Sequence, residues 1–447
     1  MYNLDIIDKK QNTITAPYLE IEGGFPLEGK VQIPGAKNAA LPAIVAACLS
    51  KDTVVLHNVP VNLNDMKLLI QLLRDGGASV IYNKLDDTLV CNGSNWNGGE
   101  LDSDICSKIR HSLLLLGLSS SWKKEIFIPM PGGCDLGNRK HDMHIDALTA
   151  LGDGISEEDG IKLYPGNCSK ELSIEFYYPT FGGTLNAIFS SVTKNNSQIT
   201  IHNAAKNPEV IDVIELLKKM GANIEWTGEK TLRIIGVSDL KGTDHLVMPD
   251  RIIGATVIAA TAITNGNVLL ENFDRDLLFS EIEVWTKSNI KFSQEDNGLR
   301  IQAKKNDLKP SDITTRAYPG FHTDIQPLHT LLMTFAKGNS KIKETILDGR
   351  FKYCNELNKM GAKISVEDGD FICVNGAQGQ IAKVDGVNEL EGTLVKATDI
   401  RGGAAVAVAA LAAKGITTVT NIYQLERGYD NFVEMYNSLG AKVKRVE

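Results

Sequence analysis

The chain has 447 residues, 43% of them hydrophobic and 23% charged, with a formal net charge of −8. This length exceeds one ordinary core, so two globular domains are expected. The negative charge argues against a protein that binds nucleic acid by general electrostatics, while leaving room for a local basic pocket for a small anion.

Seven cysteines (Cys48, Cys91, Cys106, Cys134, Cys168, Cys354, Cys373) are scattered and form no C-x-x-C pair. That suits a reducing compartment and argues against a disulfide framework or a zinc knuckle. Residues Met1 to Pro17 are polar and include Asp5 and Asp8, unlike a signal peptide. The most apolar run, Gly402 to Ala413, is too short to span a bilayer. A cytoplasmic protein is expected.

Along the chain one pattern recurs. Leu73-x-x-Gly76-Gly77-Ala78 returns as Leu148-x-x-Leu151-Gly152, then as Leu217 to Ile224, Leu357 to Ile364 and Tyr436 to Val443, with a worn copy at Trp285 to Ile290. The recurring glycines lie about 70–80 residues apart, with one gap about twice that, so six units are counted. In each unit a helix ends at the glycine, which serves as a left-handed cap. Two short strands follow, such as Lys363–Glu367 and Phe371–Asn375 around an Asp368-Gly369 turn. Next comes a helix of small residues: 39–49, 183–192, 254–264, 328–336 and 402–413. A strand closes the unit, as in 54–58, 198–203, 268–272 and 417–421. A helix that is apolar nearly all round must be buried on every side. Three units around a common axis would put these helices in the middle and the sheets outside, giving two similar domains. The polar stretch Asp239–Met248 reads as the hinge.

Charged residues interrupt these small-residue helix starts. Lys37-Asn38 opens the first helix, Arg110 precedes an apolar helix, and Arg251 follows Pro249-Asp250. Asp324 lies in Gly320-Phe321-His322-Thr323-Asp324, Arg350 in Asp348-Gly349-Arg350, Arg401 after Asp399, and Arg427 in Glu426-Arg427-Gly428. The Gly-rich stretch Pro131-Gly132-Gly133-Cys134 runs on to Arg139, placing a thiol near a guanidinium that would lower its pKa. Helix N-termini already favour anions. Adding cations there is unfavourable unless an anion arrives, so Lys37, Arg110, Arg139, Arg350, Arg401 and Arg427 are read as converging on one small anionic ligand. Phosphate or carboxylate would suit Arg's bidentate fork. Pairs such as Asp399–Arg401 and Asp250–Arg251 are equally readable as salt bridges between units.

These residues, in this order, resemble the enolpyruvyl transferases. The resemblance runs from about Leu19 to Val446 through Gly35-Ala36-Lys37-Asn38-Ala39-Ala40, Pro131-Gly132-Gly133-Cys134 with Arg139, Pro249-Asp250-Arg251, Thr323-Asp324, Arg350-Phe351, Thr398-Asp399-Ile400-Arg401 and Arg427-Gly428-Tyr429. It implies an α/β fold of two inside-out, barrel-like domains, each of three βαβαββ-type units, closing over a cleft. The expected division is 37–248 against 1–36 plus 249–447, the second domain being completed by the N-terminal strand.

The implied reaction moves the enolpyruvyl group of phosphoenolpyruvate to the 3-hydroxyl of UDP-N-acetylglucosamine and releases phosphate, without metal or cofactor. The cysteine loop separates this branch from the one acting on shikimate 3-phosphate. The resemblance gives Cys134 the role of general acid, able also to form a covalent adduct, and Asp324 that of base at the sugar hydroxyl. Lys37, Arg139 and Arg427 fall on the phosphate side, Arg350 and Arg401 on the carboxylate side, with Arg110 in the same clamp. On the acceptor side are Asn38, Arg110, Arg139, Lys140, Asp142, His144, Thr180, Phe181, Gly182 and Asp324.

Departures from the family pattern cluster on that side. Lys140-His141-Asp142-Met143-His144 replaces a proline followed by Val-Asp-Leu-His. Thr180-Phe181-Gly182-Gly183-Thr184 replaces Ser-Val-Gly-Ala-Thr. Asn207 stands for a glutamate in Lys206-Asn207-Pro208-Glu209, and Ile253 stands where a glutamate usually follows Asp-Arg-Ile. Three readings stay open: drift with the acceptor unchanged, a paralogue using another nucleotide or nucleotide sugar such as UMP, and a non-catalytic binding relative.

Overall fold

The computed structural model describes residues 16–132 and 140–447, preceded by two short paired strands, Ile7–Asp8 and Thr13–Ile14. Cys134 and Arg139 lie outside the described residues. The chain divides into two compact units, one holding the described residues of 34–250 and the other those of 1–33 and 251–447.

The unit from Glu171 to Ile235 shows the building block in full. Strand Glu171–Glu175 leads to helix Phe181–Ser191, strand Gln198–His202, helix Pro208–Lys219 and the strands Asn223–Trp226 and Leu232–Ile235. The first two strands pair in parallel, as a strand–helix–strand crossover requires, and the remaining pairings are antiparallel. Among the described residues, six four-stranded sheets repeat this order. In the 251–447 unit the N-terminal strands complete two of them. Tyr18–Glu22 lies between Ile416–Thr420 and Lys442–Val446, while Glu28–Gln32 pairs with Asn267–Glu271.

The six small-residue helices are Lys37–Ala47, Leu114–Trp122, Phe181–Ser191, Arg251–Ile263, Gln326–Thr334 and Ile400–Ala412. Every residue of Arg251–Ile263 and Gln326–Thr334 is buried. The five anticipated helices begin two or three residues before their small-residue runs. Lys37, Arg251 and Arg401 therefore sit inside the first turn. The recurring glycines 77, 152, 221, 361 and 440 take φ of 98°, 93°, 97°, 101° and 95°, and Asn289 in the worn copy takes 72°. Each cap needs the left-handed region, which glycine enters without penalty and asparagine at little cost. A second series of left-handed residues, Asn58, Asn203, Asn272 and Asn421, ends the inner strands. Three of them donate a side-chain amide to a backbone carbonyl, of Val247, Phe176 and Ala397.

Three expectations are corrected. The strand after each small-residue helix is an inner strand, flanked by a short edge strand that the pattern did not reveal. Asp239–Met248 is no free hinge, because Asp244–Leu246 is such an edge strand, paired with Val54–His57. The units part at 33/34 and 250/251 instead. Gly35 bridges Pro249 and the Ala36 N–H donates to Met248 O, which holds residues 34–36 and 249–250 with the first unit. Lastly, Lys363–Ile372 is one bulged strand, and its turn lies at 373–377. Gly369 serves the ring of Phe371: a Cβ there would meet that ring at 2.0 Å, and one on Gly379 would meet it at 2.1 Å from the other strand.

Candidate functional site

In the 251–447 unit, two helix starts are brought together by charge. Asp399 caps Ile400–Ala412, its Oδ1 accepting the N–H groups of Arg401 (3.0 Å) and Gly402 (3.1 Å). Gly402 is required there, since a Cβ would lie 2.5 Å from Asp399 Oδ2. Arg350, 1% exposed, begins a short 3-10 turn. It donates from Nη2 to Asp324 Oδ1, from Nη1 to Asp399 Oδ1 (3.5 Å) and from Nε to Thr323 Oγ1 (3.3 Å). Arg401 donates from Nε to the other oxygen of Asp324 (3.3 Å), and its guanidinium lies 5.8 Å from the Tyr429 ring centroid. Tyr429 in turn hydrogen-bonds Thr256 (2.9 Å), reaching the first turns of the third buried helix. The positive ends of the three helices of this unit thus gather around one cluster, which favours anions.

Burial would pull the pKa of Arg350 down. The charges of Asp324, Asp399 and Glu344 outweigh that, against Arg401, and it ends raised. A buried guanidinium is stable only with such partners. Asp324 keeps 22% of its side chain exposed, and Arg427 is buried with Nη1 3.5 Å from Gln424 Oε1.

In the 34–250 unit, Lys37 opens its helix with the N–H donating to Asp250 Oδ2 (3.1 Å), a cap supplied from far along the chain. Its Nζ lies 2.5 Å from Asp65 Oδ2, with the two side chains 6% and 5% exposed. Asn38 beside it is half-buried. Arg110 Nη2 donates to the carbonyl of Lys140 (2.5 Å). Asp142 accepts the Tyr177 hydroxyl (2.9 Å), and Thr180 caps its helix at the N–H of Gly183 (3.3 Å), with Phe181 half-buried beyond it.

His144 is buried, and its Nδ1 lies 2.8 Å from Asn186 Nδ2. The Asn186 amide is oriented by the Gly117 N–H on its oxygen and the Leu113 carbonyl on its nitrogen, so His144 Nδ1 accepts. Burial, followed by the charges of Arg110, His141 and His111, pushes the His144 pKa down to about 3. A neutral ring at this place is a support for the Gly182 turn, which passes over it: a Cβ on Gly182 would lie 2.4 Å from His144 Cε1. Gly182→Ala is therefore expected to destabilise the protein by about 1–3 kcal/mol, read as a lowered unfolding midpoint.

Acid should act through the same ring. His144 titrates near 3 when folded and near 6.5 when unfolded, and His329, driven down chiefly by burial, near 4. Below pH 6.5 the unfolded chain takes up protons that the folded one refuses, so stability is full above that pH and falls towards pH 3. Each pH unit costs up to about 1.4 kcal/mol per histidine, and thermal melts between pH 7 and pH 4 should show it.

The EPSP synthase (3-phosphoshikimate 1-carboxyvinyltransferase) family model matches residues 21–436. The chain belongs to this family. It is 39% identical over 428 residues, 95% of its length and 98% of the relative's, to UDP-N-acetylglucosamine 1-carboxyvinyltransferase 1 of Caldanaerobacter subterraneus subsp. tengcongensis. It is 36% identical over 435 residues to the UDP-N-acetylglucosamine 1-carboxyvinyltransferase of Finegoldia magna, covering 96% of the chain and 99% of that relative. Among solved structures it is similar to the enolpyruvyl transferase NikO from Streptomyces tendae, with TM-score 0.84, 26% identity and coverage of 96% and 99%. EPSP synthase from Acinetobacter baumannii shares the fold, with TM-score 0.73, 16% identity and coverage of 97% and 100%. The fold is the two-domain enolpyruvyl transferase fold.

Set beside the residues expected from sequence, Asp324, Arg350 and Arg401 meet in one cluster. Arg350, expected on the carboxylate side of a substrate clamp, spends its guanidinium on Thr323, Asp324 and Asp399. Sequence reading missed Asp65, Asn186 and Glu344. Each carries a signal: Asp65 shares a helix face with Leu69 and Leu72, Asn186 interrupts an apolar helix, and Glu344 occupies an inward position of a strand with Ser340 and Ile342.

Proposed function

We propose that this chain transfers the enolpyruvyl group of phosphoenolpyruvate to the 3-hydroxyl of UDP-N-acetylglucosamine and releases phosphate, in a cytoplasmic setting that fits its scattered cysteines. The observation that carries this reading is the 39% identity, over 95% of the chain, to a relative named for that activity.

In this reading the hydroxyl oxygen adds to C2 of the enol while C3 gains a proton. The tetrahedral intermediate then loses that proton, or its equivalent, together with phosphate. Two proton movements need an acid and a base. Cys134 supplies the acid and Asp324 the base. Arg350 and Arg401 hold Asp324 as a carboxylate by direct charge pairing. Arg401, drawn to the substrate carboxylate, would release one oxygen of Asp324 as the hydroxyl is delivered. Lys37, Arg110, Arg139 and Arg427 take the phosphate side, with Asp65 restraining Lys37. Asn38, Asp142, Thr180, Phe181 and Gly182 take the acceptor, and His144 supports the Gly182 turn from below.

A second reading keeps the chemistry and changes the acceptor to another nucleotide or nucleotide sugar. It is favoured by Lys140 and Phe181, which depart from the family pattern on the acceptor side. Phosphate release from phosphoenolpyruvate, measured with UDP-N-acetylglucosamine, UMP, other UDP-sugars and shikimate 3-phosphate, separates the two. Fastest release with UDP-N-acetylglucosamine is expected. Release only with another nucleotide supports the second reading, and no release with any acceptor contradicts both.

A further inference from the structure

Behind the Asp324–Arg350 pair lies a carboxylate to which no role has been given. Glu344 ends strand Asn339–Glu344 on its inward-facing register and is fully buried. Its Oε1 accepts three donors: the Thr315 hydroxyl (3.0 Å) and the N–H groups of Ile346 (2.9 Å) and Leu347 (3.2 Å). Its Oε2 accepts the hydroxyl of Thr323 (3.0 Å). Burial raises its pKa, opposed by the charge of Arg350 and by the three donors on Oε1.

The polarity of this chain of contacts is what matters. A threonine hydroxyl has one hydrogen. With that hydrogen given to Glu344, the remaining lone pairs of Thr323 Oγ1 must face outward, where Arg350 Nε donates at 3.3 Å. With Nε fixed, the planar guanidinium can turn only one edge to Asp324 and Asp399. Thr323 also directly precedes Asp324, so the same contact anchors the backbone that carries the proposed base.

We infer that Glu344, acting through Thr323, is a positioning residue that sets the orientation of the Arg350 fork and, through it, of Asp324. This rests on the base role proposed for Asp324. Glu344 touches no reacting atom. Its effect should therefore fall on turnover and not on substrate affinity.

Thr323→Val keeps the shape and removes the relay, Thr323→Ser keeps the hydroxyl, and Glu344→Gln reverses the polarity. In the last case the three donors hold the amide oxygen, and the amide N–H₂ then competes with Arg350 for Thr323. Steady-state kinetics on the full chain, with phosphoenolpyruvate and UDP-N-acetylglucosamine, should show kcat lowered about tenfold in Thr323→Val. Glu344→Gln should lose at least as much. KM for both substrates should stay within about threefold and Thr323→Ser within about twofold of the parent in kcat. Should Glu344→Gln fail to fold, the valine and serine variants decide. Equal kcat in all folded variants, or equal losses in the valine and serine variants, would overturn the inference while leaving the proposed function standing. A parent without acceptor-dependent phosphate release would overturn both.

Discussion

Asp324→Asn is expected to lower kcat by about a hundred- to ten-thousandfold, the range for removing a positioned general base, while the protein stays folded. The side chain is 22% exposed, so one face reaches solvent while its oxygens are held by Arg350 Nη2 and Arg401 Nε. An asparagine keeps the shape and one acceptor. Its amide hydrogens must face one of the two guanidinium groups, donor against donor, which adds a stability cost of about 1–3 kcal/mol. Rate and stability then separate: a large fall in acceptor-dependent phosphate release beside a small fall in melting temperature. A kcat within tenfold of the parent would remove Asp324 from the role of base.

Arg350→Met should have the largest effect on stability, a loss of about 3–5 kcal/mol. Methionine fills much of the same volume, so lost packing contributes little. The cost arises because Asp399, 4% exposed in its side chain, loses an ion-pair partner, and the fully buried Glu344 loses a positive charge that favours its carboxylate form. The deficit should shrink on acidification, since burial already raises the Glu344 pKa and a protonated Glu344 no longer needs a counter-ion. Urea unfolding at pH 7.5 and pH 5 measures both effects. A variant as stable as the parent at both values would mean that Arg350 is not the charge around which the cluster is built.

The architecture was legible in the sequence where a residue has one physical use. Gly77, Gly152, Gly221, Gly361 and Gly440 could be read as left-handed caps because few other residues tolerate that backbone. The helices of Ala, Gly, Val and Ile could be read as buried because they offer no polar face. Legibility failed where a residue has two uses. Gly369 reads as a hairpin turn but makes room for Phe371, and Asp239–Met248 reads as a polar linker but contains an edge strand too short and charged to show a pattern. In the site, the sequence could not show that Arg350 is buried against Thr323, Asp324 and Asp399, because an exposed and a buried arginine are written alike. Only the carboxylates around it distinguish them. Glu344 was hidden for the opposite reason, as an acid in a strand of alternating exposure whose inward register becomes visible only once the sheet is known.

The proposed reaction is an enolpyruvyl transfer by addition and elimination onto a sugar hydroxyl. NMR of the product formed from phosphoenolpyruvate and UDP-N-acetylglucosamine in D₂O tests it most directly. An enolpyruvyl ether at the sugar 3-oxygen is expected, formed in step with phosphate and carrying deuterium at its vinyl carbon, because C3 exchanges protons while it is a methyl group in the intermediate. Free pyruvate with unmodified sugar nucleotide, or a vinyl group without deuterium, would contradict it.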